Sequence, residues 1–281
     1  MIINPDGSIF HLHLLPEQLT DRIILVGDPG RVDMVASFFD TRTFEVSSRE
    51  FHTIGGTYNG KPIMCLSHGI GPDNIDIVMN ELDALANVDF KTREVKEQHR
   101  TLTLVRIGTS GALQPELILG TPVIAERSIG FDGVLNYYAG RNNVCDLDFE
   151  REFCEAVDWS ALLAAPYVVK ANHELVEQIG RDDMVRGCTI SAVGFYGPQG
   201  RELRLPLANP DLNSRIEAFR YHGAPVTNYE MESAPLQGLA LLMGHRAMTV
   251  CSIIANRVNT TASPNYKTAV RDLVKTVLDR I

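Results

Sequence analysis

The chain has 281 residues, with 26 Lys and Arg against 35 Asp and Glu, a formal net charge of −9 and 44% hydrophobic residues. This length can bury a sizeable core, and the acidic balance argues against a nucleic-acid binder or a basic membrane-surface protein. Cys65, Cys145, Cys154, Cys188 and Cys251 form no C-x-x-C pair, no apolar run approaches the ~18 residues of a membrane span, and the first residues lack a signal-peptide pattern, so a reducing, cytoplasmic setting is expected.

Residues 1–22 are polar and turn-rich. Within them Phe10-His11-Leu12-His13-Leu14 reads as a strand or turn with one packed and one wet face rather than as a metal site. Residues 23–26 are a short continuous apolar run, as expected of a strand buried on both faces. Gly27-Asp28-Pro29-Gly30-Arg31 then turns the chain into a helix expected over 32–39. Arg31 at a helix start opposes the helix dipole, a placement that a bound anion would compensate. Neither G-x-G-x-x-G nor G-x-x-x-x-G-K-[ST] occurs, so dinucleotide and nucleoside-triphosphate binding are not indicated.

Residues 44–57 read as strand, carried through Ser48-Arg49-Glu50-Phe51. Tyr58-Asn59-Gly60-Lys61 is a hairpin signal into a strand at 63–67, and Gly69-Ile70-Gly71-Pro72 leads into a helix from about 74 to 85. The charge-dense stretch 89–100 reads as a solvated helix extension or an insertion. A strand at 101–105 then delivers Val105-Arg106-Ile107-Gly108-Thr109-Ser110-Gly111, whose small residues suggest a turn that exposes backbone N–H groups. An arginine at a buried strand end needs a counter-charge, either a buried carboxylate or a bound anion that Thr109 and Ser110 would also serve.

A further strand is expected at 117–125, loops and a helix over 126–165, a strand at 167–171, a helix at 173–179 and a strand at 188–193. Phe195-Tyr196-Gly197-Pro198-Gln199-Gly200-Arg201 follows, a set suited to a planar heterocycle: a ring for stacking, an amide that donates and accepts, and a guanidinium that donates. Asn228-Tyr229-Glu230-Met231-Glu232-Ser233 precedes a small-residue helix at 234–243 that Gly244 closes. Its two carboxylates share a face if the segment is extended and diverge if the helix has begun. A last strand at 247–255 and an amphipathic helix at 265–281 complete an α/β pattern.

Taken together, these motifs describe an anion, a diol and a flat heterocycle. In this order, over nearly the whole chain, they resemble the nucleoside phosphorylase family, and its uridine-cleaving branch best. The resemblance implies a single domain over 1–281, a three-layer α/β/α sandwich around a mixed, partly barrel-like sheet. It implies phosphorolysis of uridine, with deoxyuridine or thymidine as further substrates, in pyrimidine salvage. Phosphate would be held at Gly27, Arg31, Arg106 and Thr109, with Arg49 from a neighbouring subunit. Ribose would be held at Met231 and Glu232, with the neighbour's His11, and the base at Phe195, Gln199 and Arg201. Arg106, Glu232, Gln199 and Arg201 would carry catalysis.

The same resemblance implies a homo-oligomer, phosphate as co-substrate and no organic cofactor or metal, apart from a monovalent cation between subunits at Glu50, Ile70 and Asn74. The chain departs from the bacterial hexameric members in a longer 89–100 stretch, in Gly200 where those carry an acid, and in Asn74 where those carry a serine. These departures leave dimer and hexamer open. A purine phosphorylase or a hydrolytic nucleosidase on the same fold, or a non-catalytic nucleoside sensor, are the competing readings. Gln199 and Arg201 disfavour the first, the arginine cluster the second, and the intact Glu232 the third.

Overall fold

Apolar runs make the central strands, and glycine turns join them to their helices. The computed structural model describes residues 1–281. Strand β1 (Arg22–Val26) leads into helix α1 (Pro29–Ala36), where Asp28 caps the helix by accepting from the Gly30 N–H at 2.9 Å. Strands β2 (Thr41–Ser48), β3 (Phe51–Tyr58) and β4 (Lys61–Ser67) form an antiparallel meander that returns parallel to β1. Asn59 and Gly60, at φ 49° and 70°, make the expected tight hairpin between β3 and β4. Helix α2 (Pro72–Asn87) then leads to β5 (Thr103–Ala112) and β6 (Pro122–Gly130).

Helix α3 (Leu147–Val157), β7 (Tyr167–Lys170), α4 (His173–Gly180), β8 (Val185–Ser191) and α5 (Leu212–Ala218) follow. The short β9 (Arg220–Tyr221) pairs with β10 (Ala224–Glu230), which runs into α6 (Ser233–Met243). The chain ends with β11 (Arg246–Asn256), β12 (Thr261–Ala262) and α7 (Lys267–Arg280).

Strand β5 closes the sheet on itself. One edge pairs with β11 along its length, while the other pairs with β1 at its start and with β10 at Gly111 and Ala112. Because β11 also pairs with β6, β6 with β8 and β8 with β10, five strands form a closed ring, and β1, β4, β3 and β2 extend from it as an open sheet. Strand β1 shows why its sequence is apolar throughout. Ile23 and Leu25 enter a core packed under α2 and α6, whereas Ile24 and Val26 enter a second core under α1, α4 and α7. A third, aromatic-rich core of Phe131, Phe149, Phe153, Phe219 and Tyr229 lies beneath α3 and α5. The mixed, partly closed α/β sheet is the architecture that the sequence leads one to expect.

Three local expectations change, and one open alternative is decided. Residues 44–57 are not one strand: the chain reverses at Arg49, in the left-handed region at φ 55°, because β2 and β3 pair Ser48 with Phe51. Residues 105–111 do not turn; they are extended, since β11 pairs with β5 along its whole length to Ala112, with β1 and β10 on the other edge at its two ends. The strand expected at 117–125 begins only at Pro122 and runs to Gly130. The stretch 89–100 is an insertion without helix, closed by an isolated pairing of Val88 with Val95.

A Cβ on Gly56 would stand 2.0 Å from the Thr41 carbonyl oxygen of the neighbouring strand. The obstacle is backbone, so Gly56→Ala is expected to cost about 2–3 kcal/mol by overpacking. Urea unfolding checks this, and a midpoint equal to that of the wild-type protein would contradict it.

Candidate active site

Arg106 lies on β5, a strand of the closed ring, and is 4% exposed. Its NH1 forms an ion pair with Glu230 at 2.8 Å and its NH2 donates to Glu232, both carboxylates being as buried as the guanidinium. Glu230 is the last residue of β10, whereas Glu232 caps the start of α6, yet the turn between strand and helix points both inward. Glu230 is saturated with donors: the Ser191 hydroxyl at 2.7 Å, the Ser233 hydroxyl at 2.6 Å, and the Glu232 and Ser233 N–H groups at 2.9 and 3.0 Å. Glu232 accepts in addition from the Gly71 N–H at 2.8 Å. One guanidinium thus serves two buried carboxylates. Burial and the neighbouring Glu230 charge push the Glu232 carboxyl above its ordinary range, against the opposing effect of Arg106.

Gly108 makes room for this arrangement: a Cβ there would stand 2.8 Å from both Arg106 NH1 and Cys251 Sγ. Arg106 Nε donates to Nε2 of the buried His68 at 3.1 Å. A Cβ on Gly27, just past β1, would meet the Gly69 carbonyl at 3.3 Å and the His68 ring at 3.7 Å, so the loops after β1 and β4 converge here. Arg31, half-buried in the first turn of α1, and Arg49, exposed in the β2–β3 turn, pair with no carboxylate. Thr109, at the far end of β5, is half-buried. Gly69 also lies between Glu50 and Asn74, where a Cβ would stand 3.0 Å from Glu50 Cγ and 2.5 Å from Asn74 Nδ2. The Asn74 amide donates to the Ile70 carbonyl at 3.4 Å. Glu50, Ile70 and Asn74 are therefore neighbours that offer hard oxygen donors, a set suited to a monovalent cation.

Beyond β8, Gln199 is 3% exposed on a short helical turn. Its Oε1 accepts from Arg201 NH1 at 2.5 Å and from Arg257 NH2 at 2.8 Å. Arg201 also donates to the Phe195 carbonyl at 2.7 Å and lies 3.9 Å from the centre of the Phe195 ring. The aromatic face expected to be open for stacking is thus covered by a cation–π contact within the loop. Arg257 stacks on Tyr229 at 4.7 Å, and burial together with the Arg201 charge lowers its guanidinium to about 10. Tyr229 directly precedes Glu230, which ties the Gln199 loop to the Arg106 cluster.

With this geometry in hand, comparison with known proteins is decisive: the family model described as the phosphorylase superfamily matches residues 21–280. The chain belongs to the phosphorylase superfamily. It is similar to the uridine phosphorylase of Thermococcus kodakarensis, with 30% identity over 90% of this chain and 79% of that protein. It is similar also to the uridine phosphorylase of Escherichia coli, with 30% identity over 89% of this chain and 87% of that one. Among solved structures, a Trypanosoma brucei nucleoside phosphorylase described as showing uridine phosphorylase activity superposes with a TM-score of 0.89 at 26% identity, covering 99% of this chain and 98% of that one.

Within this phosphorylase chain His11 is held apart from the Arg106 cluster. Its Nδ1 contacts Glu81 of α2 at 2.6 Å, and Glu81 also accepts from the backbone N–H groups of His11 and Leu12. Glu81 is ten residues beyond Gly71, about 15 Å along the helix at 1.5 Å per residue. Met231 is half-buried between the two carboxylates of the cluster. Three residues that the sequence analysis did not assign stand in the site: Glu230, His68 and Arg257. The signal for Glu230 was its spacing from Glu232, but its role as the anchor of Arg106 needed the strand-to-helix turn. His68 adjoins Gly69 in a quoted motif, and Arg257 follows the last long strand; neither pattern reveals a partner.

One other cluster, Asp83, His99 and His245, brings three candidate metal ligands within 4.8 Å of one another. The Leu102 N–H donates to His245 Nδ1 at 3.2 Å, which places the ring proton on Nε2, facing Asp83 at 3.1 Å. A protonated Nε2 has no lone pair for a metal, so the cluster is a hydrogen-bonded brace.

The raised Glu232 has a defined linkage sign. A carboxyl whose folded pKa exceeds its unfolded value makes the native state bind more protons, so its contribution to stability falls as pH rises from the ordinary carboxylate range through the raised value. The stability difference between Glu232→Gln and the wild-type protein should therefore shift in favour of the variant across that window. Chemical denaturation at a series of pH values measures this, and a pH-independent difference would contradict it.

Proposed function

We propose that this chain, acting as a single domain, cleaves uridine by phosphorolysis to uracil and ribose 1-phosphate, as a cytoplasmic step of pyrimidine salvage. The observation that carries the reading is that Tyr229, whose ring receives Arg257 of the Gln199–Arg201–Arg257 group, directly precedes Glu230 of the Arg106–Glu232 cluster. The uridine phosphorylases among its relatives and the five free cysteines support it. Phosphate is the co-substrate and attacks C1′ of the ribose. Gly27, Arg31, Arg106 and Thr109 hold it, Met231 and Glu232 hold the ribose hydroxyls, and Phe195, Gln199 and Arg201 receive the base.

Breaking the glycosidic bond builds positive charge on the ribose and negative charge on uracil. Glu232 stands by the first, and the Arg201 and Gln199 donors by the second, where each well-placed donor typically lowers the barrier by ~3 kcal/mol. Arg201 contacts both the Gln199 oxygen and the Phe195 ring, so uracil takes its place beside Gln199 by displacing Arg201 from them. Gln199 then accepts from the uracil N3–H and donates to a carbonyl, a pattern that a purine does not offer in the same place.

The charges explain why the site is shared between copies. Arg106 is outweighed by the two carboxylates that it serves, and Arg31 adds one positive charge, so a phosphate anion needs further positive charge, which Arg49 of a second subunit supplies. His11, braced on α2 away from its own Arg106, covers the ribose of the neighbour. The assembly is thus a homo-oligomer, and a monovalent cation at Glu50, Ile70 and Asn74 is completed by the same residues of the partner.

Arg106→Ala should lower phosphate-dependent uracil release on the order of 10³-fold. Retention of most activity, or equal wild-type cleavage without phosphate, would overturn the reading. Gln199→Ala should reduce kcat/KM for uridine about 10²-fold while leaving inosine, a poor substrate, unchanged. A higher kcat/KM on inosine than on uridine in the wild-type protein would transfer the assignment to purines.

A further inference from the structure

We propose that His68 is a positioning residue, which fixes the Arg106 guanidinium for the anion by accepting its Nε–H on a neutral Nε2. The proposal deepens the phosphate reading above and rests on it. Arg106 has two kinds of partner. The carboxylates of Glu230 and Glu232 take its two terminal nitrogens, and because the guanidinium is a rigid plane it swings as a unit about the Cδ–Nε bond whenever a terminal group moves toward a ligand. The Nε–H is the one donor on the side-chain stem, and His68 Nε2 meets it at 3.1 Å. A guanidinium has only donors, so His68 must present a lone pair there, which puts its proton on Nδ1.

The surroundings keep it in that state. His68 is fully buried, and burial together with the Arg106 and Arg31 charges holds its imidazole well below its ordinary range. Nδ1 lies against the Gly69 backbone without a well-formed hydrogen bond. The ring also packs against Gly27, where a Cβ would approach it to 3.7 Å. His68 therefore contacts the arginine and lies beside the loop assigned to phosphate. Its loss should be felt in phosphate binding more than in turnover.

The test compares His68→Leu, His68→Gln and His68→Asn. The glutamine amide oxygen reaches the place of Nε2, whereas that of asparagine falls one bond short. His68→Leu and His68→Asn are expected to raise the KM for phosphate at least tenfold, with kcat at saturating phosphate within about threefold of wild type. His68→Gln should recover most of the phosphate affinity. A phosphate KM within twofold of wild type in folded His68→Leu, or equal impairment of the glutamine and asparagine variants, would overturn the proposal; the latter pair decides if the leucine variant does not fold. Calorimetric titration with inorganic phosphate alone gives the same comparison independently of the nucleoside. A wild-type protein that binds phosphate but releases no uracil would defeat the substrate reading while the His68 series still decides this one.

Discussion

The structure depends on one buried guanidinium shared by two carboxylates. Arg106 comes from the strand that closes the barrel, Glu230 from the end of its neighbour β10, and Glu232 from the first residue before α6. Removing one partner from a buried ion pair commonly costs 3–5 kcal/mol, so these elements are held in one mutual register. Ser191 of β8 and Gly71 before α2 are drawn in through the remaining lone pairs. The carboxylates also sit at the N-terminus of α6, where the helix dipole and free N–H groups favour negative charge. An unpaired charge is costly inside a protein, and this requirement assembles the groups that the proposed reaction uses.

The opposite pole of the site follows the same rule with neutral and positive groups. Gln199, Arg201 and Arg257 satisfy one another, and Phe195 and Tyr229 receive the two guanidinium faces. Three arginines are thereby accounted for in two ways. Arg106 is compensated by carboxylates, while Arg201 and Arg257 are compensated by a carbonyl, an amide oxygen and aromatic rings. Only the second pair can exchange its partners for a ligand without leaving a carboxylate unpaired, which suits a loop that opens to a substrate.

Much of the fold was legible because its signals are local. The apolar run at 23–26, the Asn59-Gly60 turn and the spacing of Val270, Leu273, Val274, Val277 and Leu278 each name a period or a backbone conformation that a few residues fix. The site motif at 105–111 was legible in composition but not in conformation. Its glycines looked like a turn, yet Gly108 is needed for the space that the guanidinium occupies, and strand partners from distant parts of the chain keep the segment extended. Arg49 was absorbed into a strand because nothing nearby announces its left-handed turn. The two readings of Arg106, a buried ion pair or an anion ligand, were posed as alternatives by the sequence. Both carboxylates do pair with it, and the proposed function asks it to serve phosphate as well. His68 and Arg257 had no local signature, since each is defined by a partner far away in sequence.

The central claim is that inorganic phosphate, gathered around Arg106, is the nucleophile. Following the reaction of the wild-type protein with uridine in phosphate buffer by 31P NMR tests it directly. A ribose 1-phosphate resonance should grow in step with uracil, one molecule of each per turnover. Uracil accompanied by free ribose, with the phosphate signal undiminished, would contradict the account.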